Sequence, residues 1–254
     1  MWGAARASGV PPTPGRPQVI AQGTIPPHNA RMHDEAAAFI SGSAWGRHLE
    51  PRDLARVLAA VRLADVPAGH CVVRAGEPAE HWTGLVSGLV VQQVSSESGR
   101  LATLTCVGPG AWFGEGTLMK RGCWQYDALA RQHCRVALVP RSVFDWLLDT
   151  NLAFNRFLAR LLNERLSHYM GLLANERLTS SAQRLAHVLA SLYDPDLYPN
   201  RSAMLPMSQT DIALLSGMSR QHANAALHKL QTGGLLEVGR SGVRVLDVAA
   251  LRRY

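Results

Sequence analysis

The segment "MSQTDIALLSGMSRQHANAALHKLQTGGLL", Met207 to Leu236, restricts the fold more than any other stretch of the chain. Ser208 followed three residues later by Asp211 resembles a capping box, with Asp in place of the usual Glu or Gln. Ile212, Ala213 and Leu215 give the helix it opens a short apolar face. Gly217 ends that helix, because glycine takes a left-handed backbone without steric cost, and Met218 reads as a buried spacer. Ser219 caps a second helix in which Ala223, Ala226, Leu227 and Leu230 face inward while Arg220, Gln221 and Asn224 share the opposite face. Two short helices joined by a tight Gly-containing turn make a helix-turn-helix, whose second helix enters the major groove N-terminus first.

The side chains suit that placement. Arg220 can donate to guanine O6 and N7 or to a phosphate, and Gln221 and Asn224 can bridge adenine N6 and N7. Ser208, Gln209 and the helix N-terminal amides can take phosphate oxygens, with Ser219 at the start of the second helix counted among the interface residues. After Gly233-Gly234, "LLEVGRSGVRVLD" alternates like a β-hairpin with Arg240-Ser241-Gly242 at its tip and Arg244 following, which is the winged variant. The tip arginine would reach backbone phosphate. A three-helix packing module with merely solvated polar residues is the competing reading, and the joint arrangement favours double-stranded DNA. A net charge of +7 and a pI near 9.7 lean the same way, weakly.

The 254 residues leave room for two domains with their own cores. Residues 1–32, rich in Pro, Gly and Ala and lacking the continuous apolar core of a secretory signal, read as a flexible tail. From His33 to Val61 the pattern is helical, with Pro51 in a first turn and Leu54, Val57, Leu58 and Val61 on one face. From Ala64 to Val139 short β-branched runs alternate with turns at Pro67-Ala68-Gly69, Gly76-Glu77-Pro78, Ser98-Gly99 and Gly108-Pro109-Gly110, which indicates an antiparallel barrel or roll. A long helix follows, carrying Phe154, Leu158, Leu161, Leu162, Leu166, Tyr169, Leu172 and Leu173. Its apolar face is wider than cover for one roll requires, so part of it reads as a dimer seam. Ser180 with Gln183 opens the next helix as a capping box. The expected fold is α+β in four segments: tail 1–32, β-roll sensor domain with N-terminal helices 33–140, long dimerisation helix 141–178, and winged helix-turn-helix 179–254.

With the glycine framework Gly69, Gly76-Glu77, Gly88, Gly99, Gly110 and Phe113-Gly114-Glu115, the long helix, and "SQTDIALLSGMSRQHANAALHKL", residues 35–254 resemble the bacterial cyclic-AMP receptor protein/Fnr family of transcription regulators. The resemblance implies a double-stranded β-roll of the cyclic-nucleotide-binding type, a dimerisation helix and a C-terminal winged helix. It also implies a homodimer in the cytoplasm on a near-palindromic site, touching RNA polymerase when it activates. In nucleotide-binding members the Phe-Gly-Glu turn is followed downstream by Arg-Ser or Arg-Thr: the Glu takes the ribose hydroxyl and the Arg neutralises the cyclic phosphate. Here Phe113, Gly114 and Glu115 match the turn, but Trp124-Gln125 stand at the Arg-Ser pair. A gap would bring Lys120, Arg121 or Arg131 forward instead. A buried phosphate with no cation loses charge-assisted bonds of roughly 1.5–3 kcal/mol each, so ordinary cyclic-AMP binding is not expected. Trp112, Trp124 and Tyr126 either line a pocket for an apolar effector or fill the vacated cavity, the second being favoured.

No cofactor and no metal are expected. No cysteine precedes Cys71, which removes the N-terminal iron–sulfur cluster used by the oxygen-sensing branch. Cys71, Cys106, Cys123 and Cys134 form no CxxC pair, and reduced thiols are the plain reading. His70, Cys71, His81 and His133 are formal axial-ligand candidates for haem, although a lone His in a roll is more often a hydrogen-bonded or surface residue. No apolar run approaches the ~18 residues of a membrane span. Two alternatives stay open: a ligand-independent DNA-binding regulator, and a metal-dependent enzyme on a cupin-like roll, which lacks its H-x-H pair here.

Overall fold

A computed structural model describes residues 30–99, 101–178, 180–199 and 202–254. The segment read as a tail falls outside them up to residue 29, and helix α1 (Ala30–Gly42) begins just inside it. A 3-10 turn at Gly46–His48 leads to α2 (Pro51–Ala60), with Pro51 at its first position and Val57 and Val61 fully buried. Proline is tolerated there because that N–H has no partner within the helix.

The roll consists of two four-stranded antiparallel sheets. One orders β1 (Arg62–Val66), β8 (Cys134–Pro140), β3 (His81–Ser87) and β6 (Trp112–Phe113); the other orders β2 (Cys71–Val73), β7 (Asp127–Ala130), β4 (Val90–Ser95) and β5 (Leu101–Val107). The short helix α3 (Glu115–Met119) follows β6 directly. Trp45, Trp82, Trp112, Phe144 and Phe154 form one buried aromatic stack, with Trp82 and Trp112 ring centroids 4.3 Å apart and Trp45 and Phe154 5.6 Å apart. This stack ties the N-terminal helices, the roll and the helices that follow into one core. Trp112, read as a possible pocket wall, is a core residue at 4% exposure.

The stretch 141–178 holds two helices, α4 (Arg141–Thr150) and α5 (Leu152–Leu178), broken at the extended Asn151. Asn151 starts the second one itself, its Oδ1 accepting from the Phe154 amide at 2.9 Å. The 27 residues of α5 span about 40 Å at 1.5 Å per residue. Its first half buries Phe154, Leu158 and Leu161 on the roll, whereas Leu166, Tyr169, Met170 and Leu173 in its second half are exposed. Ser180 and Gln183 close a capping box at the start of α6 (Ser181–Ser191). The C-terminal unit continues with β9 (Met204–Leu205), α7 (Gln209–Leu215), α8 (Arg220–Thr232), a hairpin of β10 (Leu236–Gly239) and β11 (Gly242–Val245), and α9 (Val248–Arg253). No helix of the described residues is long and apolar enough to cross a membrane.

Candidate effector pocket and DNA interface

Helices α7 and α8 form the helix-turn-helix. Ser208 caps α7 reciprocally: its Oγ accepts from the Asp211 amide at 3.1 Å, and Asp211 Oδ2 accepts from the Ser208 amide at 3.1 Å and from its hydroxyl at 2.7 Å. The shorter Asp side chain therefore does the work of Glu. Gly217, at φ +63°, turns the chain, and Ser219 caps α8 by accepting from the His222 amide at 3.3 Å. Ala223, Ala226, Leu227 and Leu230 are buried, leaving Arg220, Gln221 and Asn224 together on the exposed side. Ser208, Gln209 and Ser219 are exposed at the two helix N-termini. In the wing, β11 pairs with both β10 and β9, and Gly242 (φ +133°) is obligatory because a Cβ there would sit 2.0 Å from the Leu205 carbonyl oxygen. Arg240 is exposed at the tip, and Arg244 lies 3.8 Å from Glu237 across the hairpin.

The turn Phe113-Gly114-Glu115 joins β6 to α3, with Gly114 at φ +99°. Glu115 is 3% exposed; its carboxylate lies 2.7 Å from Arg165 Nε of α5 and accepts from the Trp82 indole at 3.4 Å. Arg165 also donates to the Trp112 carbonyl, so its charge is already committed. Trp124 is buried, and its indole lies across Gly114 so closely that a Cβ there would meet the ring at 2.4 Å. Phe113 and Tyr126 pack on the same indole at centroid distances of 6.2 and 5.6 Å. Burial pushes the Tyr126 phenol well above its usual range. The space left among Thr105, Trp112, Arg165, Tyr169 and Tyr198 is about 10 Å3, the lower limit for a single water.

The cations that a gap would bring forward lie elsewhere. Gln125 is exposed, its amide donating to the Cys123 carbonyl at 2.9 Å. Lys120 and Arg121 are exposed beyond α3, with Arg121 3.6 Å from Asp145. Arg131 pairs with Asp211 of α7. Of the pocket residues read from the sequence, the structure gathers Phe113, Gly114, Glu115 and Trp124 and leaves Gln125 outside. Among the described residues no group of three or more His, Cys, Asp or Glu could hold a metal ion, and all four cysteines are free, with Cys123 alone exposed. His133 lies 3.7 Å from Asp65 on the surface, and burial lowers the His81 pKa.

Two family models match the chain, a cyclic nucleotide-binding domain over residues 63–151 and a Crp-like helix-turn-helix domain over 183–254. The chain belongs to the cyclic-AMP receptor protein/Fnr family. Within that family it is 27% identical over 209 residues to a CRP-like cAMP-activated global transcriptional regulator of Mycobacterium tuberculosis, covering 81% of this chain and 93% of that one. The FixK2 structure from Bradyrhizobium japonicum shares the fold at TM-score 0.66 and 22% identity, over 76% of this chain and 96% of its own. The c-di-GMP responsive global regulator CLP of Xanthomonas campestris does so at TM-score 0.57 and 24% identity, over 78% and 100%. This Crp/Fnr protein is a transcription regulator with a DNA-binding helix-turn-helix, not an enzyme, which removes the cupin-like alternative.

Sequence reasoning passed over Arg165, Thr105 and Tyr198. Arg165 had a visible signal, a lone arginine one helical turn beyond Leu161 on the stripe that α5 buries. Thr105 and Tyr198 had none, because their pairing joins two domains through a loop.

Proposed function

We propose that this regulator acts as a homodimer on a near-palindromic DNA site and that its roll does not take cyclic AMP in the usual way. The observation that carries the second point is the Trp124 indole lying on Gly114, with Gln125 turned outward. It leaves the matched Glu115 without a neighbouring cation free for a phosphate. The M. tuberculosis relative is named as cAMP-activated and the X. campestris one as c-di-GMP responsive, so the effector differs among relatives of one fold. Dimerisation is supported by Ala159, Asn163, Leu166, Met170 and Leu173 of α5, exposed at the alternating four-three spacing of a coiled-coil seam. Ser208, Gln209, Ser219, Arg220, Gln221, Asn224, Arg240 and Arg244 make the DNA interface, and two copies would set the half-site spacing. Contact with RNA polymerase at an activated promoter, and action in the cytoplasm, accompany this reading.

The test starts from random duplexes, from which the purified full-length protein selects its operator. Fluorescence anisotropy on the selected duplex is then measured with and without cyclic AMP and cyclic GMP. Specific submicromolar binding that neither nucleotide alters is expected. Binding that appears only with nucleotide would show that a cation does reach the phosphate and would overturn the pocket reading.

A further inference from the structure

The winged-helix unit is docked on the roll at three points. Helix α7 packs against strand β5. At its N-terminus, Arg131, which directly follows β7, forms an ion pair with Asp211 Oδ1, while Oδ2 of the same carboxylate serves the Ser208 cap. Asp211 is nearly buried at 9% side-chain exposure and Arg131 is at 33%. The Tyr198 hydroxyl and Thr105 Oγ1 of β5 share a hydrogen bond of 2.8 Å. Tyr198 sits in the loop after α6, which Asp194 shapes by accepting from the amides of Asp196 and Leu197 at 2.9 and 3.0 Å. The phenol reaches the space bounded by Arg165, the partner of Glu115, and Tyr169. Between the two polar ties, Leu89, Cys106, Leu192 and Met207 line an apolar gap of about 90 Å3.

We propose that Arg131 and Tyr198 are positioning residues for DNA binding: they latch the winged helix to the roll in a DNA-competent orientation. Two features make the docked orientation the competent one. Arg220, Gln221 and Asn224 are exposed in it. Asp211 is the acidic residue of the α7 first turn, where a helix of this kind meets DNA phosphate, and Arg131 neutralises the charge that would repel it. The proposal deepens the reading above and rests on it.

The full-length protein and its selected duplex provide the test, with Arg131→Ala, Arg131→Lys, Asp211→Asn, Tyr198→Phe and the Arg131→Ala/Asp211→Asn double variant. Asp211→Asn keeps an oxygen acceptor for the α7 cap, so the unit stays folded. Arg131→Ala is expected to weaken operator binding about tenfold, with Lys restoring most of the loss and Tyr198→Phe weakening binding severalfold. The double variant should lose no more than the worse single, because both changes break one tie. Without DNA, hydrogen exchange should quicken in β5 and in residues 194–199 in the Arg131→Ala and Tyr198→Phe proteins. Unchanged or tighter DNA binding in the Arg131→Ala and Tyr198→Phe proteins, additive losses in the double, or unaltered exchange would each overturn the latch. A parent protein that selects no duplex, yet shows the exchange response, would instead strike the DNA reading and reduce the ties to a domain contact.

Discussion

Gly114 and Trp124 show how one residue pair can occupy the face of a familiar turn. The glycine is needed twice, for its left-handed backbone and for the indole packed on its face. Gly114→Ala should lower the melting temperature, since the ring must leave its seat, and thermal unfolding followed by circular dichroism measures it. Trp124→Ala should destabilise the fold by about 3–5 kcal/mol, the usual cost of emptying a buried aromatic site. At the DNA face, Arg220→Ala or Gln221→Ala is expected to relax base preference at one half-site position at a cost of about 1–3 kcal/mol. Binding to a panel of single-base operator variants reads this directly; unchanged preference in both would show that α8 is not the reading helix. Arg240→Ala should instead weaken binding to all duplexes alike and flatten its salt dependence, because a phosphate contact carries no sequence information.

Among the elements, α5 has the most to explain. Its first half is an ordinary cover for the roll, with Phe154 inside the aromatic stack, while its second half leaves Leu166, Tyr169, Met170 and Leu173 exposed in a single chain. Leu166→Lys combined with Met170→Asp should convert dimer to monomer in sedimentation equilibrium and weaken binding to a two-half-site duplex far more than to a single half-site. The roll should keep its melting transition, because neither residue belongs to its core. In the proposed dimer Asn163, exposed between Ala159 and Leu166, would hold the two helices in register, as a lone Asn does in coiled coils.

At the scale of the whole molecule, a single aromatic core joins the N-terminal helices to the roll and α5, and the winged helix is tied back through Arg131, Asp211, Thr105 and Tyr198. Burial lowers the pKa of His81 and of His168, the second in α5. Both imidazoles are therefore neutral in the fold at pH values where the free side chain begins to charge. Their contribution is complete above the unfolded pKa near 6.5 and is lost as pH falls below it. Melting temperature should accordingly drop between pH 7.5 and pH 5.5, and His81→Gln with His168→Gln should make that drop shallower.

Local chemistry made much of this legible in advance. The Ser208–Asp211 and Ser180–Gln183 caps, the Gly217 turn, the inward Ala223–Leu230 face and the turn glycines of the roll each act within a few residues, so sequence alone determined the helix-turn-helix, the wing and the run of short strands. It also placed Trp124-Gln125, aligned without a gap, where an Arg-Ser pair would follow the Glu115 turn. What only the tertiary structure decided was where the remaining charges and rings went: Arg165 to Glu115, Arg131 to Asp211, Trp124 onto Gly114 and Tyr198 onto Thr105. Those pairings span 10 to 93 positions along the chain, and such contacts arise only when the sheets and helices have been packed. A capping box is settled by its own four residues; a pairing of distant side chains is settled by everything folded around it.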